Sequence, residues 1–389
     1  MSCGNFNIGM IVGQFFATVW CTGVGRRKVM SKSGDSRDQN PRPVNLKAVA
    51  DHLRLSPGTV SAVVNDSPAA KHIPEHTRNR ILTAVRELNY QANYFAMSLR
   101  KKRTYTIGLI ANEIGDSYGG SVIAGVESYL RQKNYFFLTG IHRHDSKLLE
   151  TYSKLLLQRG VEGFITVDLN LPHSLPLPTV AVAGHRHLKG VTNIILDHDR
   201  AARVALAHLL ELGHRRIAFM KGLPASADSA DRWQGICAVA AQLFLKIDPE
   251  LVVQIQSDVS SPELGYPYAK TLLARNKPFT ALFAYNDLSA IGAIRALNEA
   301  GLRVPDDVSV VGFDDIESAA FNNPALTTVR QPLRQMGEVA ARALLERIEG
   351  NGSGLEEIPV QPELVIRKST GKARLELIST PRMQLRDLA

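Results

Sequence analysis

From Tyr105 onward, apolar runs of strand length alternate with helical patterns. The runs are TIGLIA, YFFLTGI, GFITVD, TVAVAG and IILD, then RRIAFMKG, ALFAYN and VSVVGFDD, separated by stretches such as SVIAGVESYLRQKN, RAARVALAHLLELG and LSAIGAIRALNEAG. Runs that are apolar at successive residues belong to strands buried on both faces, and crossover helices between them make the sheets parallel. There are more such units than one sheet carries comfortably. Two Rossmann-like parallel sheets, one per lobe, are the economical arrangement, with a ligand cleft between them at the carboxyl ends of the strands. In a chain of 389 residues this body leaves room for a further domain.

That further domain starts at Leu46. Leu46, Val49, Ala50 and Leu53 fall at i, i+3, i+4 and i+7, one apolar stripe of a short helix. Ser56 can cap a second helix, and Pro57 sits at its first position, where a missing N–H costs nothing. Val60, Val63 and Val64 give the second helix its own stripe. Two short amphipathic helices joined by Arg54 and Leu55 fit a helix-turn-helix whose second member enters a DNA major groove, and on pattern alone they fit an ordinary helical hairpin equally. Ile73, Pro74 and Glu75 open a third helix with Ile81, Leu82, Val85 and Leu88 as its expected buried side. The segment NYQANYFAMSLRKKRT follows, ending in four consecutive basic residues, Arg100 to Arg103.

Taken in order, VNLKAVADHLRLSPGTVSAVVN, IPEHTRNRILTAVRELNYQAN and SLRKKRTYTIGLI resemble the LacI family of transcription regulators. The resemblance is long and colinear, and it continues through the body to about Ser369. It implies an all-α helix-turn-helix headpiece joined to an α/β two-lobed body of periplasmic-binding-protein type. The chain would divide as a leader at 1–42, the headpiece at 43–91, a hinge helix and linker at 92–104, the ligand-binding and dimerisation body at 105–369 and a tail at 370–389. Crossings between lobes are expected near Asp197, Thr328 and Pro359.

The same resemblance assigns roles. The helix at Pro57 would read DNA, with Pro57, Gly58 and Ala62 at base-reading positions and Thr59, Ser61 and Asn65 meeting phosphates or base edges. The family commonly carries Arg where Ala62 stands, so this chain lacks one bidentate donor to guanine; Ala62 and Pro57 remain able to touch a thymine methyl, and weaker or differently distributed direct readout is expected. Asn93 to Leu99 match a hinge segment that folds on DNA, with Leu99 as the wedge between central base pairs in the minor groove. In the cleft, Tyr118 beside Ser117, His142, Arg232 with Trp233, Asn286, Asp287 and Asp314 are the candidate ligand residues. Acids, amides and one arginine suit a sugar or sugar derivative better than a lipid or a metal. Plain structural roles stay open: Asp287 or Asp314 as caps, Arg232 as the partner of an acidic neighbour. The implied partners are double-stranded operator DNA, a small effector and a second copy of the chain, with no cofactor and no membrane.

Charge agrees with one DNA-facing end. Residues 43–104 carry 10 basic and 4 acidic side chains, and residues 105–389 carry 30 and 31. Three scattered cysteines, Cys3, Cys21 and Cys237, form no disulfide framework or zinc pattern, which suits reduced thiols in cytoplasm. In the leader, the apolar run Ile8 to Trp20 is too short for a comfortable span and lacks a secretory signal's layout. Met30 stands as an alternative start. No G-x-S-x-G elbow, phosphate-cradling loop or H-E-x-x-H pair occurs, so no enzymatic activity is expected. The rival from another class is an exported sugar-binding protein of a transporter, which would share the body and need neither headpiece nor basic end.

Overall fold

The computed structural model describes residues 44–91, 94–143, 145–184, 187–224, 226–257, 261–352 and 354–374. The leader, Asn93 and the tail beyond residue 374 lie outside them. The chain separates into two compact units, residues 1–93 and 94–389.

In the first unit, α1 (Leu46–Leu53) begins where the Asn45 side chain accepts from Ala48 N at 2.9 Å, and it stops where Arg54 turns left-handed at φ 55°. Helix α2 (Pro57–Val64) starts as expected: the Ser56 hydroxyl accepts from Thr59 N at 3.1 Å and Pro57 fills the first turn. After a 3-10 turn at Pro68–His72, α3 (Glu75–Glu87) closes a core of Val49, Ala50, Val60, Val63, Ala70, Ile81 and Ala84. Leu82 was expected inside and is 43% exposed. It stands one residue, a rotation of 100°, off the stripe that Ile81, Ala84, Val85 and Leu88 share. So small a core feels every methylene: truncating fully buried Ile81 to Ala costs about 2–5 kcal/mol.

The second unit opens with α4 (Tyr94–Lys101). The chain after it is tied to the body by one carboxylate. Glu162 accepts from Arg103 Nε at 2.9 Å and from the backbone N–H groups of Thr104 and Tyr105 at 2.5 and 2.8 Å.

The body then runs β1 (Thr106–Ala111), α5 (Ser117–Gln132), β2 (Phe136–Ile141), α6 (Ser146–Gln158), β3 (Phe164–Val167), β4 (Thr179–Val182) and β5 (Val191–Leu196). It continues with α7 (His198–Glu211), β6 (Ile217–Lys221), α8 (Ala227–Gln242), β7 (Val252–Gln254), α9 (Tyr266–Ala274), β8 (Ala281–Phe283) and α10 (Asp287–Glu299). Last come β9 (Ser309–Asp314), α11 (Glu317–Phe321), β10 (Thr327–Arg330), α12 (Leu333–Ile348), β11 (Glu357–Val360) and β12 (Glu363–Val365).

Among the described residues two six-stranded sheets form, ordered β11-β5-β4-β3-β1-β2 and β12-β10-β9-β8-β6-β7. Pairing is parallel throughout except β10 with β12. Strands such as β1, β3 and β9 are buried along their whole length, the signature of sheets covered on both faces.

The chain leaves the first sheet after β5, at Asp197. It returns after Arg330, two residues beyond Thr328, which is itself still hydrogen-bonded into the second sheet in register with Gly312 and Val365. It leaves again beyond Val360, since Pro359 is still paired with Ile195. Helix α12 packs on α5 so closely that a Cβ on Gly125 would lie 1.9 Å from Arg334 O, and one on Gly337 would lie 2.0 Å from Val122 O. No other residue type permits that approach.

Candidate functional site

In the first unit, Pro57 and Gly58 stand exposed at the start of α2, while Thr59 and Ser61 are half-buried. The Thr59 hydroxyl lies 2.8 Å from the Ser56 hydroxyl, so part of its capacity is spent on the cap. Asn65 folds back, its amide nitrogen donating to Ser61 O at 2.8 Å and to Ser61 Oγ at 3.2 Å. Ala62 is only 9% exposed, because the chain after α2 turns back over it and Ser67 N donates to Ala62 O at 3.0 Å. Little of its methyl remains for a thymine. In the second unit, Leu99 on α4 is 82% exposed.

The cleft of the body is built at the carboxyl ends of strands from both sheets, as the switch-point rule requires. It encloses about 900 Å³, including its open mouth. Tyr118, Ser117, Arg232, Asn286 and Asp314 converge on it. Tyr118 stands in the first turn of α5, whose start is fixed by the Asp116 side chain accepting from Gly119 N at 2.9 Å. The Tyr118 Oη is buried without a hydrogen-bond partner. Burial, reinforced by Asp228, Asp168 and Asp314 and only partly offset by Arg232, holds its phenol well above the ordinary value. It is therefore a neutral group able to donate or accept.

Arg232 lies on α8 and is 5% exposed. One of its terminal nitrogens donates to Tyr285 O at 2.5 Å and the other pairs with Asp228, one helical turn earlier. Its guanidinium stacks 3.7 Å from the centre of the Phe313 ring and 4.8 Å from that of Tyr285. Its Nε is buried without a partner. Burial opposes the guanidinium charge, but Asp228, Tyr285 and Asp314 outweigh it and keep the group firmly ionised. His198 Nε2 lies 3.1 Å from the other oxygen of Asp228.

Asp314 ends β9 with φ at 106°, a conformation non-glycine residues avoid, and Asp315 follows at φ 58°. What holds the pair is Asp315, whose carboxylate takes Arg330 Nε at 2.6 Å and an Arg367 nitrogen at 2.6 Å. Asp314 accepts from Gln331 Nε2 at 2.7 Å. Burial raises its carboxyl well above the usual carboxylate range, with Arg232 pulling the other way. Asn286 faces the cleft while its Oδ1 caps α10, accepting from Ser289 N at 2.9 Å.

Three expected ligand residues are elsewhere. Asp287, fully buried, accepts from Thr328 Oγ1 at 2.6 Å and Ile316 N at 2.9 Å, tying α10 to the strands beside it. Burial pushes its carboxyl up to about 7. One position past the cap, it points into the lobe. His142 is buried at the end of edge strand β2 and does not line the cleft. Trp233 packs edge-on against Phe219 at 5.8 Å, with Lys221 Nζ over its ring at 5.1 Å.

The cleft also gathers Asn112, Glu113, Asp116, Asp168, Asp228 and Tyr285, none of them singled out from the sequence. Asp168 and Tyr285 each follow a strand end just as Asp314 ends β9, a signal available in the sequence. Asp228 lies four residues before Arg232, the spacing of an ion pair on one helix.

Among the described residues no cluster suited to a metal ion occurs, and no helix is long and apolar enough to cross a membrane.

Comparison with known proteins agrees with this geometry. Residues 45–93 match the family described as bacterial regulatory proteins, lacI family, and residues 206–370 match a periplasmic binding protein-like domain. The HTH-type transcriptional repressor PurR of Haemophilus influenzae is 32% identical over 336 residues, covering 83% of this chain and 98% of that protein. Its counterpart from Klebsiella pneumoniae is 31% identical over 333 residues, 83% of this chain and 96% of that protein. Among solved structures, the lac repressor dimer bound to operator and the anti-inducer ONPF superposes with a TM-score of 0.76 at 27% identity, covering 85% of this chain and 100% of that one. A complex of the transcriptional regulator CelR with cellobiose gives 0.62 at 28% identity, covering 84% and 99%.

Proposed function

This chain belongs to the lacI family of bacterial regulatory proteins, and we propose from that premise that it represses transcription by binding a pseudo-palindromic operator as a homodimer, under the control of a small sugar-like effector held in the cleft. One combination carries the proposal: a Ser56-capped recognition helix on the same chain as a two-lobed cleft where Arg232, Tyr118 and Asp314 converge. An exported binding protein has no use for such a headpiece, and the matched relatives, covered almost end to end, are DNA-binding repressors.

At the DNA, Pro57 and Gly58 approach base edges, and Thr59, Ser61 and the N-terminus of α2 meet phosphate. With Ala62 covered and no arginine in its place, direct readout is thin. More of the specificity falls to the minor groove, where the exposed Leu99 of each copy wedges between central base pairs and kinks the duplex. Two copies put two headpieces on half-sites, so the two-fold axis of the protein is mirrored in the operator.

The second copy is read onto the apolar edge of the first lobe, where Phe136 is 74% exposed and Leu138 and Leu155 are 37% and 39% exposed. Effector binding changes the angle between lobes, and Glu162 passes the movement of the first lobe to the segment after α4. The cleft is read as binding its effector without turnover, as the matched repressors are not enzymes. Such a protein works in the cytoplasm, where the operator is.

Selection of bound fragments from sheared genomic DNA by the purified full-length protein tests the proposal. A small set of fragments sharing an inverted repeat is expected, and recovery no better than from random duplex would overturn it.

A further inference from the structure

Leu99 shares a groove with the body. The groove runs from α4 across β2 and α6 of the first lobe, and its apolar wall is Phe136, Leu138 and Leu155. Three cations also line it, Lys102, Arg103 and Arg159, and among the described residues no carboxyl group does. Arg103 is answered by Glu162 at 2.9 Å. Lys102 and Arg159 are exposed, and neither has an ion pair among the described residues. Arg159 is held close to the end of α4. It caps α6, its backbone N–H donating to Leu155 O and Leu156 O at 3.1 Å, and the next residue, Gly160, accepts from Thr104 Oγ1 at 2.5 Å. Thr104 stands five residues after Leu99, at most about 18 Å of extended chain and less here, since α4 runs to Lys101.

A plain structural role is open to Arg159, because the dipole of α6 favours a cation at its C-terminal end. That role leaves the gathering of charge unexplained. Two copies meeting across the apolar wall would bring two Lys102 and two Arg159 together, like charges with no carboxylate between them. A surface that only joined copies would be weakened by them. A duplex answers them: a side chain seated in a minor groove about 6 Å wide has a phosphate strand on either side of it.

We infer that, if Leu99 wedges the minor groove as proposed above, the body itself grips the operator: Arg159 of each copy, with Lys102 beside it, contacts the phosphate backbone flanking the step that Leu99 enters. The contact comes from outside the headpiece and α4. It is carried by the lobe that also supplies Tyr118 to the cleft, so a turn of that lobe moves a DNA contact directly. Phosphate contacts carry no sequence information and release condensed counterions. Losing one weakens binding and lowers the slope of log affinity against log salt by about 0.9.

The test is fluorescence anisotropy on the full-length protein across a salt series, with the fragment that selection from genomic DNA returns most strongly as the probe. Arg159→Gln should weaken binding by more than about fivefold at moderate salt and flatten the salt slope by about 2, one contact from each copy. Arg159→Lys, which keeps the charge, should keep the slope. Leu99→Ala should weaken binding with the slope unaltered, since it removes no charge. An unchanged slope in Arg159→Gln, whatever its affinity, overturns the inference and leaves Arg159 as a cap on α6. The minor-groove reading survives that result if Leu99→Ala binds more weakly and falls with it if Leu99→Ala does not. A slope that flattens equally in Arg159→Lys, or an Arg159→Gln protein that light scattering shows to be monomeric, overturns the inference too, because the loss then comes from shape or assembly. A selection that returns no preferred fragment removes the minor-groove reading and the inference together.

Discussion

The guanidinium carbon of Arg232 sits 3.7 Å from the centre of the Phe313 ring, a close cation–π contact. Phe313 is the residue before Asp314, so one stack fixes the positions of both the cationic and the anionic side of the cleft.

Arg232→Lys keeps the charge and loses the plane, the fork to Tyr285 and Asp228, and the unpartnered Nε. Effector affinity should fall by more than about tenfold while operator binding in the absence of effector stays unchanged. Calorimetry for the first and fluorescence anisotropy for the second check it.

At the DNA end, Leu99→Ala removes the proposed wedge from a side chain that is 82% exposed and so adds little to folding. Operator affinity should drop more than about tenfold in a gel-shift titration, with an unaltered far-ultraviolet circular dichroism spectrum. Unchanged affinity would leave Leu99 with no role in the minor groove.

Asp287 makes the stability of the second lobe sensitive to pH. Burial raises its carboxyl from an ordinary 3.8 to about 7, so the folded state holds a proton that the unfolded state releases at lower pH. The stability contributed by that proton is complete below about 4 and is lost as pH rises through about 7. Melting temperature should therefore decline between pH 5 and 8, and Asp287→Asn, which cannot titrate, should flatten the decline. Equal slopes in both proteins would refute this source.

Phe136 is 74% exposed on edge strand β2, beside Leu138 and Leu155. Phe136→Asp puts a charge into the proposed contact between copies. Light scattering should show a shift from dimer to monomer, and operator binding should weaken with it. A variant that remains dimeric at micromolar concentration would move the contact elsewhere.

Much of this architecture is legible in residue order. The helix-turn-helix announces itself because a cap, a first-turn proline and an i, i+3, i+4 stripe are local chemistry, all within Leu46 to Val64. The parallel sheets are legible because a strand covered on both faces has no polar side. Ligand residues are harder. Asn286 and Asp287 are neighbours of nearly equal polarity, yet the helix start turns one to the cleft and the other toward Thr328. Asp168 and Asp228 lie 60 residues apart on different sheets' connections, so only the closed fold brings them to the same two phenols. The place of the second crossing is blurred in the sequence for a similar reason: β10 reads as a crossing until its partners on both sides are known.

Because β11 completes the first sheet some 160 residues after β5, and β12 follows it back into the second, neither lobe corresponds to a continuous stretch of gene. Recombination cannot trade one lobe for a relative's by a single exchange. The boundary near residue 93 has no such stitching, which makes it the natural joint for grafting a new operator preference onto an old metabolite response.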